Sequence, residues 1–252
     1  NQSPLVRMAA AAALDDAGKQ KAEFKLDSRF IRLMQPAMAA DCLVGCLESA
    51  SRRDRRYADD LYQVLREFLE KCTDDNSKLR LMTAISENSS RLMRLVGPAL
   101  FTIQDKEATL PIVENICRSG DVTALESLID RAINHQYDHP VMSEILLKSL
   151  NAFLDKDPYY ATYYLRQIGD DAVRDAFVET MVRSSVSYAR ENAVSALSYM
   201  ADIEKRDQLL EELRHCGSEH IEAQANNLTL PDEPYQVPRP SAPKPEPVAE
   251  SG

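Results

Sequence analysis

The sequence predicts an all-α protein, and three observations carry that prediction. Among 252 residues only seven are glycine and none is tryptophan, while Ala, Leu, Arg, Glu and Asp are abundant. These are mostly residues that lose little freedom in a helix. Apolar positions recur at three- and four-residue spacing, and no stretch alternates Val, Ile and Thr as a half-buried strand does. Short breaks made of Gly, Asp, Ser and Pro separate the stripes, as expected where one helix is capped off and the next is opened.

The elements follow in order. The stretch LVRMAAAAAL (5–14) reads as an alanine-rich first helix, since no basic segment precedes it as in a signal peptide. Asp27-Ser28 opens a helix carrying Phe30, Leu33, Met34, Met38 and Cys42. Another starts near Arg55 and carries Leu61, Leu65, Phe68 and Leu69. The cap-rich run TDDNS (73–77) turns the chain into a helix with Leu79, Met82, Ile85, Leu92, Met93 and Val96, ending at Gly97-Pro98. Later breaks fall at Gly120-Asp121, His139-Pro140, Asp157-Pro158, Gly169-Asp170 and Gly217-Ser218. Pro140 and Pro158 suit first helical positions, where no donor is lost. The reading gives ten to twelve helices. After about Leu230 the character changes: the last 22 residues hold seven of the thirteen prolines. They read as an extended or disordered, partner-bound tail. Three regions result: an N-terminal helical region (1–104), a helical-repeat region continuous with it (105–230) and the proline-rich tail (231–252).

The repeat emerges when residues 161–182 are slid onto 193–214. Ala161/Ala193, Leu165/Leu197, Asp170/Asp202, Arg174/Arg206, Asp175/Asp207 and Glu179/Glu211 coincide. Ile168/Met200, Phe177/Leu209, Val178/Leu210 and Met181/Leu213 exchange one apolar residue for another. A second register lays Gly120-Asp121 and its helix on Gly169-Asp170, leaving residues 140–155 as an extra element. Over roughly residues 105–217, and back to 55, the chain resembles the HEAT, armadillo and tetratricopeptide-type helical repeats. The tetratricopeptide Trp and Gly-Tyr signature is missing, so the resemblance is one of architecture. It implies stacked antiparallel helix pairs, an irregular α-solenoid-like arrangement whose surface binds other macromolecules.

The formal net charge of −10 disfavours generic nucleic-acid binding. The best candidate for a basic patch is Ser51–Arg56, with Arg52, Arg53, Arg55 and Arg56, which also reads as a solvated helix junction. Five cysteines at irregular spacing, Cys42, Cys46, Cys72, Cys117 and Cys216, form no disulfide framework and suit reduced thiols in a cytoplasmic protein. No run approaches the ~18 apolar residues of a membrane span.

Catalytic motifs are missing: there is no phosphate-binding glycine loop, HExxH, GxSxG or CxxC. His215, Cys216, Glu219 and His220 are metal-ligand types, but Gly217-Ser218 breaks the helix between them. His215 fits better as a helix C-terminal residue favoured by the dipole. Cys42 and Cys46 share a helix face and read as small core residues. Asp170 and Asp202 read as caps, and the recurring Arg174-Asp175 and Arg206-Asp207 pairs as links between neighbouring repeats. No cofactor or metal is expected.

Tyrosines are the remaining signal. Four of the ten lie at 159, 160, 163 and 164. Tyr164 falls on the stripe Ala161, Leu165 and Ile168 and reads as core. Tyr160 and Tyr163 align with polar Asn192 and Ser195 and read as surface, on the flank where Gln167 aligns with Tyr199. Exposed tyrosine offers large contact area at low entropy cost. The expected function is therefore a non-catalytic adaptor or scaffold subunit of a larger complex. Its partner-binding residues would be Tyr160, Tyr163 and Tyr199 on the helices and Tyr235, Pro238, Pro240 and Pro243 in the tail. An all-helical enzyme with a dispersed site, or a nucleic-acid binder using Arg52–Arg56, are the alternatives.

Overall fold

The computed structural model describes residues 31, 33–50, 55–88, 90–135, 138–233, 235 and 236. Among them are twelve α-helices and no strand. They are α1 (Pro36–Ala50), α2 (Arg55–Lys71), α3 (Asp75–Asn88), α4 (Val96–Leu100), α5 (Leu110–Ser119) and α6 (Val122–His135). Then follow α7 (Pro140–Leu154), α8 (Pro158–Tyr164), α9 (Asp171–Val182), α10 (Ser187–Ala196), α11 (Ile203–Arg214) and α12 (Glu219–Asn227).

Local chemistry sets most boundaries. The Asp74 carboxylate accepts from the Ser77 amide at 2.9 Å and opens α3. Gly120 closes α5 at φ 64°, where a Cβ would be strained, and donates its N–H to the Ile116 and Cys117 carbonyls. Asp121 then caps α6 by accepting from the Ala124 amide at 2.8 Å. Pro140 and Pro158 each occupy the first turn of their helices, and Asp157 caps α8 by accepting from the Tyr160 amide.

Three expectations are corrected. Helix α1 opens at Pro36 and buries Ala39, Leu43, Val44, Cys46 and Leu47, while Leu33 and Met38 are exposed. Asp27, Ser28 and Phe30 lie outside the described residues, as does the alanine-rich run. The helix expected to end at Gly97-Pro98 stops instead at Asn88. A 3₁₀ turn (Ser90–Leu95) follows, and α4 runs through Gly97 and Pro98. Pro98 is harmless there because first-turn amides have no intrahelical partner. Gly97 is a packing residue, since a Cβ on it would meet Ser127 Oγ of α6 at 2.6 Å. Gly169, unlike Gly120 and Gly217, does not have positive φ; Ile168 and Asp170 around it are extended.

Each helix packs on the next or the next but one. Helices α1, α3, α5, α7, α9 and α11 touch in succession; α4 touches α6, and α8, α10 and α12 touch in turn. Helix α7 packs on both α5 and α9 and so is part of that succession. Buried apolar residues from Ile31 to Ala225 form one continuous cluster. No helix among the described residues is long and apolar enough to cross a membrane.

The 32-residue register holds in the backbone. Leu165–Gln167 and Leu197–Tyr199 are both 3₁₀ turns. Ile168 and Met200 are both extended, and α9 and α11 end at the equivalent Val182 and Arg214. Asp170 and Asp202 cap the following helices, accepting from Ala172 and Val173 and from Lys205 respectively. One register further, α12 takes the place of α10: Val186 and Ser218, extended residues 32 apart, precede them.

Candidate interaction surface

The Arg174-Asp175 pair ties α9 to the loop between α10 and α11. The Arg174 side chain is fully buried. It donates from Nε to the Tyr199 carbonyl at 2.5 Å and from Nη1 to the Ile168 carbonyl at 2.8 Å. Its Nη2 reaches Asp171 Oδ1 at 2.5 Å and the Tyr235 carbonyl at 3.2 Å. Asp175 beside it accepts from the Ala201 and Asp202 amides at 2.9 and 2.8 Å. Together the two side chains grip the loop that separates α10 from α11.

One unit on, Arg206 Nη1 donates to the Pro231 carbonyl at 2.8 Å, and Pro231 is the residue 32 after Tyr199. The C-terminal segment therefore occupies the place that the inter-helix loop of a further unit would take. Asp207 has no counterpart to the grip of Asp175. The equivalent of Asp202 is Pro234, which has no N–H to donate; Asp207 instead contacts Arg206 Nε at 3.3 Å.

This anchoring brings Tyr235 to Tyr199, with ring centroids 4.9 Å apart and edge to face. The Arg174 guanidinium lies 5.5 Å from the centre of the Tyr235 ring, on the face that attracts cations. On the other side Arg166 donates from Nε to the Tyr199 hydroxyl at 2.7 Å and lies 5.6 Å from the centre of that ring. That hydrogen bond pushes the Arg166 pKa upward.

Arg166 follows Tyr163 by one turn. Tyr159, Tyr160 and Tyr163 are exposed by 62%, 56% and 64%, whereas Tyr164 retains 8% and edges against Phe153. Asp157 caps the helix and Ala161, Leu165 and Ile168 seat it on the core, so the other face of α8 is turned to solvent. Burial first, then the nearby carboxylates of Asp130 and Glu126, push the Tyr164 phenol up to about 12. The result is a surface path from Tyr159 and Tyr160 through Tyr163 and Arg166 to Tyr199 and Tyr235, with the buried Arg174 beneath the last ring.

Of the residues singled out in the sequence, Tyr160 and Tyr163 lie exposed on α8, and Tyr199 and Tyr235 come together half-buried. Pro238, Pro240 and Pro243 lie outside the described residues. So do Arg52 and Arg53, and nothing is described of the Arg55 and Arg56 side chains. Sequence reasoning missed Tyr159 and Arg166 as parts of this surface and Arg174 as the buried group beneath it. Arg166 was legible as the i+3 neighbour of Tyr163, but no local signal joins Arg174 to a residue 61 positions away.

Other constellations do not assemble. Among the described residues no three His, Cys, Asp or Glu side chains group as metal ligands. His215 Nδ1 lies 3.0 Å from the Glu211 carbonyl at the end of α11, while His220 pairs with Gln224 on α12. Cys42 and Cys46 face each other, and the Cys46 side-chain hydrogen bond lowers the Cys42 thiol to about 7. An open cleft of about 630 Å³ between α10 and α12 is lined by Glu191, Asn192, Ser195, His220, Gln224 and Asn227 among others. Compared with known proteins, the chain matches no family model, no curated protein and no solved structure.

Proposed function

We propose that the chain is a non-catalytic adaptor or scaffold subunit that binds other proteins through its helical surface and its proline-rich C-terminal segment. The observation that carries this reading is the row of exposed tyrosines on α8, continuous through Arg166 and Tyr199 with the anchored Tyr235. Tyrosine and arginine are the residues enriched where protein interfaces concentrate their binding energy. A row of three exposed rings backed by a rigid helix supplies such a surface without an ordering cost.

The architecture belongs to the same proposal. Helix pairs stacked as an irregular α-solenoid account for the successive contacts of α1, α3, α5, α7, α9 and α11 and for the 32-residue register. Such stacks present long surfaces to macromolecules. The free thiols of all five cysteines suit a reducing compartment, and the cytoplasm is the proposed location.

Affinity capture with the intact chain and with the Tyr160→Ala/Tyr163→Ala double variant, read by mass spectrometry, tests the function. The intact chain should retain specific proteins, and the double variant should recover them at least tenfold less, the equivalent of ~1.4 kcal/mol. Equal recovery by both would remove the α8 face from the binding surface.

A further inference from the structure

We propose that the tyrosine face of α8 is the docking site of the chain's own proline-rich segment, residues 237–252, which covers it from the Tyr235 anchor. The inference rests on the reading of this face as a binding surface and names its resident occupant.

Position is the first argument. The described chain leaves at Gln236, one residue after Tyr235. Tyr235 is fixed at both ends: its ring packs on Tyr199 and its carbonyl accepts from Arg174. Tyr199 in turn holds Arg166, one helical turn from Tyr163. The segment is thus released at the edge of the aromatic row. From Arg166 back to Tyr159 is seven residues of helical chain, ~10 Å. The sixteen residues 237–252, at ~3.1 Å each in a polyproline II conformation, span ~50 Å and cross the row with length to spare.

Chemistry is the second argument. Residues 237–252 contain five prolines, at 238, 240, 243, 245 and 247. Proline-rich chain in the extended left-handed form docks on rows of aromatic rings, because its prolines seat between rings and it loses little entropy on binding. Tyr159, Tyr160 and Tyr163 are such a row, exposed on one side of one helix. Pro240 and Pro243, three residues apart, share a face of that form.

Charge is the third. Carboxylates lie at the start of the row, where Asp157 caps α8 and Asp155 precedes it, while Arg166 lies at its other end. The segment brings Arg239 and Lys244 and has no acidic residue before Glu246. Its first half is therefore a cation-bearing proline segment meeting an aromatic row, where cation–π contact with the rings and ion pairing at the Asp155–Asp157 end favour it. The tether supplies an effective concentration on the order of 1 mM, so even weak docking populates the covered state. A protein partner that uses the face must then displace the segment, or receive it together with the face.

The chain has no tryptophan, so Tyr163→Trp places a single indole in the row. In the variant that keeps its prolines the indole emission should be blue-shifted. Its quenching by acrylamide should rise about twofold, for a segment docked in most molecules, when the five prolines 238, 240, 243, 245 and 247 are replaced by serine in the same chain. Circular dichroism of both variants checks that the helices are unchanged. Emission of the variant that keeps its prolines should not change on dilution, and a synthetic peptide of residues 237–252 should restore the blue shift to the serine variant. Quenching that is the same with and without the prolines overturns the proposal. Protection that disappears on dilution also overturns it, because the occupant is then the segment of a second copy. Neither result touches the binding role of the face, which the capture by intact and Tyr160→Ala/Tyr163→Ala chains decides separately.

Discussion

Replacing Arg174 by methionine is the sharpest test of how the units are joined. Methionine keeps the apolar stem of the side chain and deletes the guanidinium. The buried carbonyl of Ile168 and the loop carbonyl of Tyr199 then lose their donors, and the Tyr235 carbonyl loses its anchor. A buried acceptor left without a partner costs ~1–3 kcal/mol. The Asp171 contact adds little because that carboxylate is exposed. One buried carbonyl and two half-buried ones bring the expected loss to about 2–4 kcal/mol. Arg174→Lys, with one compact ammonium that cannot fork across three carbonyls, should lose about 2 kcal/mol. Arg206→Met is the internal control. It removes a donor from the exposed Pro231, whose carbonyl water can satisfy, and a weak contact to exposed Asp207. Its expected cost is about 1 kcal/mol. Urea unfolding followed by circular dichroism measures all three. If Arg174→Met costs no more than Arg206→Met, the idea that Arg174 joins successive units through the 199–202 loop is wrong.

Three further outcomes follow from the same geometry. Tyr164→Ala should destabilise by ~3–5 kcal/mol as a buried ring is lost, while Tyr160→Ala and Tyr163→Ala should each stay within about ±0.5 kcal/mol in the same unfolding assay. Because folding raises the Tyr164 phenol from its ordinary value near 10 to about 12, its neutral form stabilises the fold. That contribution is complete below the unfolded value and is lost as pH rises between the two. The melting temperature of the intact chain should therefore fall more steeply above pH 10 than that of Tyr164→Phe, and parallel curves would refute the assignment. With its thiol lowered to about 7 by Cys46, half-buried Cys42 should react with iodoacetamide near neutral pH before Cys72 and Cys117, whose thiols burial pushes up; peptide mapping by mass spectrometry gives the order.

The sequence by itself determined the helical class, most helix starts and the division of the tyrosines. Those features depend on neighbours within a turn or two. Asp74, Asp121, Asp157, Asp170 and Asp202 cap because a carboxylate after a break reaches free amides next to it. Tyr164 is buried and Tyr160 and Tyr163 exposed because helical periodicity fixes which side faces the core. The 32-residue register was legible because both units solve the same packing problem with the same residue types. Periodicity did not reveal that α4 runs through Gly97, whose missing side chain admits Ser127 of α6, a contact between residues thirty positions apart. Nor did it show that Pro231 and Tyr235 are held against α11 and α9. Proline content alone marked them as tail, since it removes helix and sheet as options but says nothing of carbonyl acceptors. Only the tertiary structure supplied the donors, Arg206 and Arg174, whose burial makes each unpaired N–H costly and so draws the segment in.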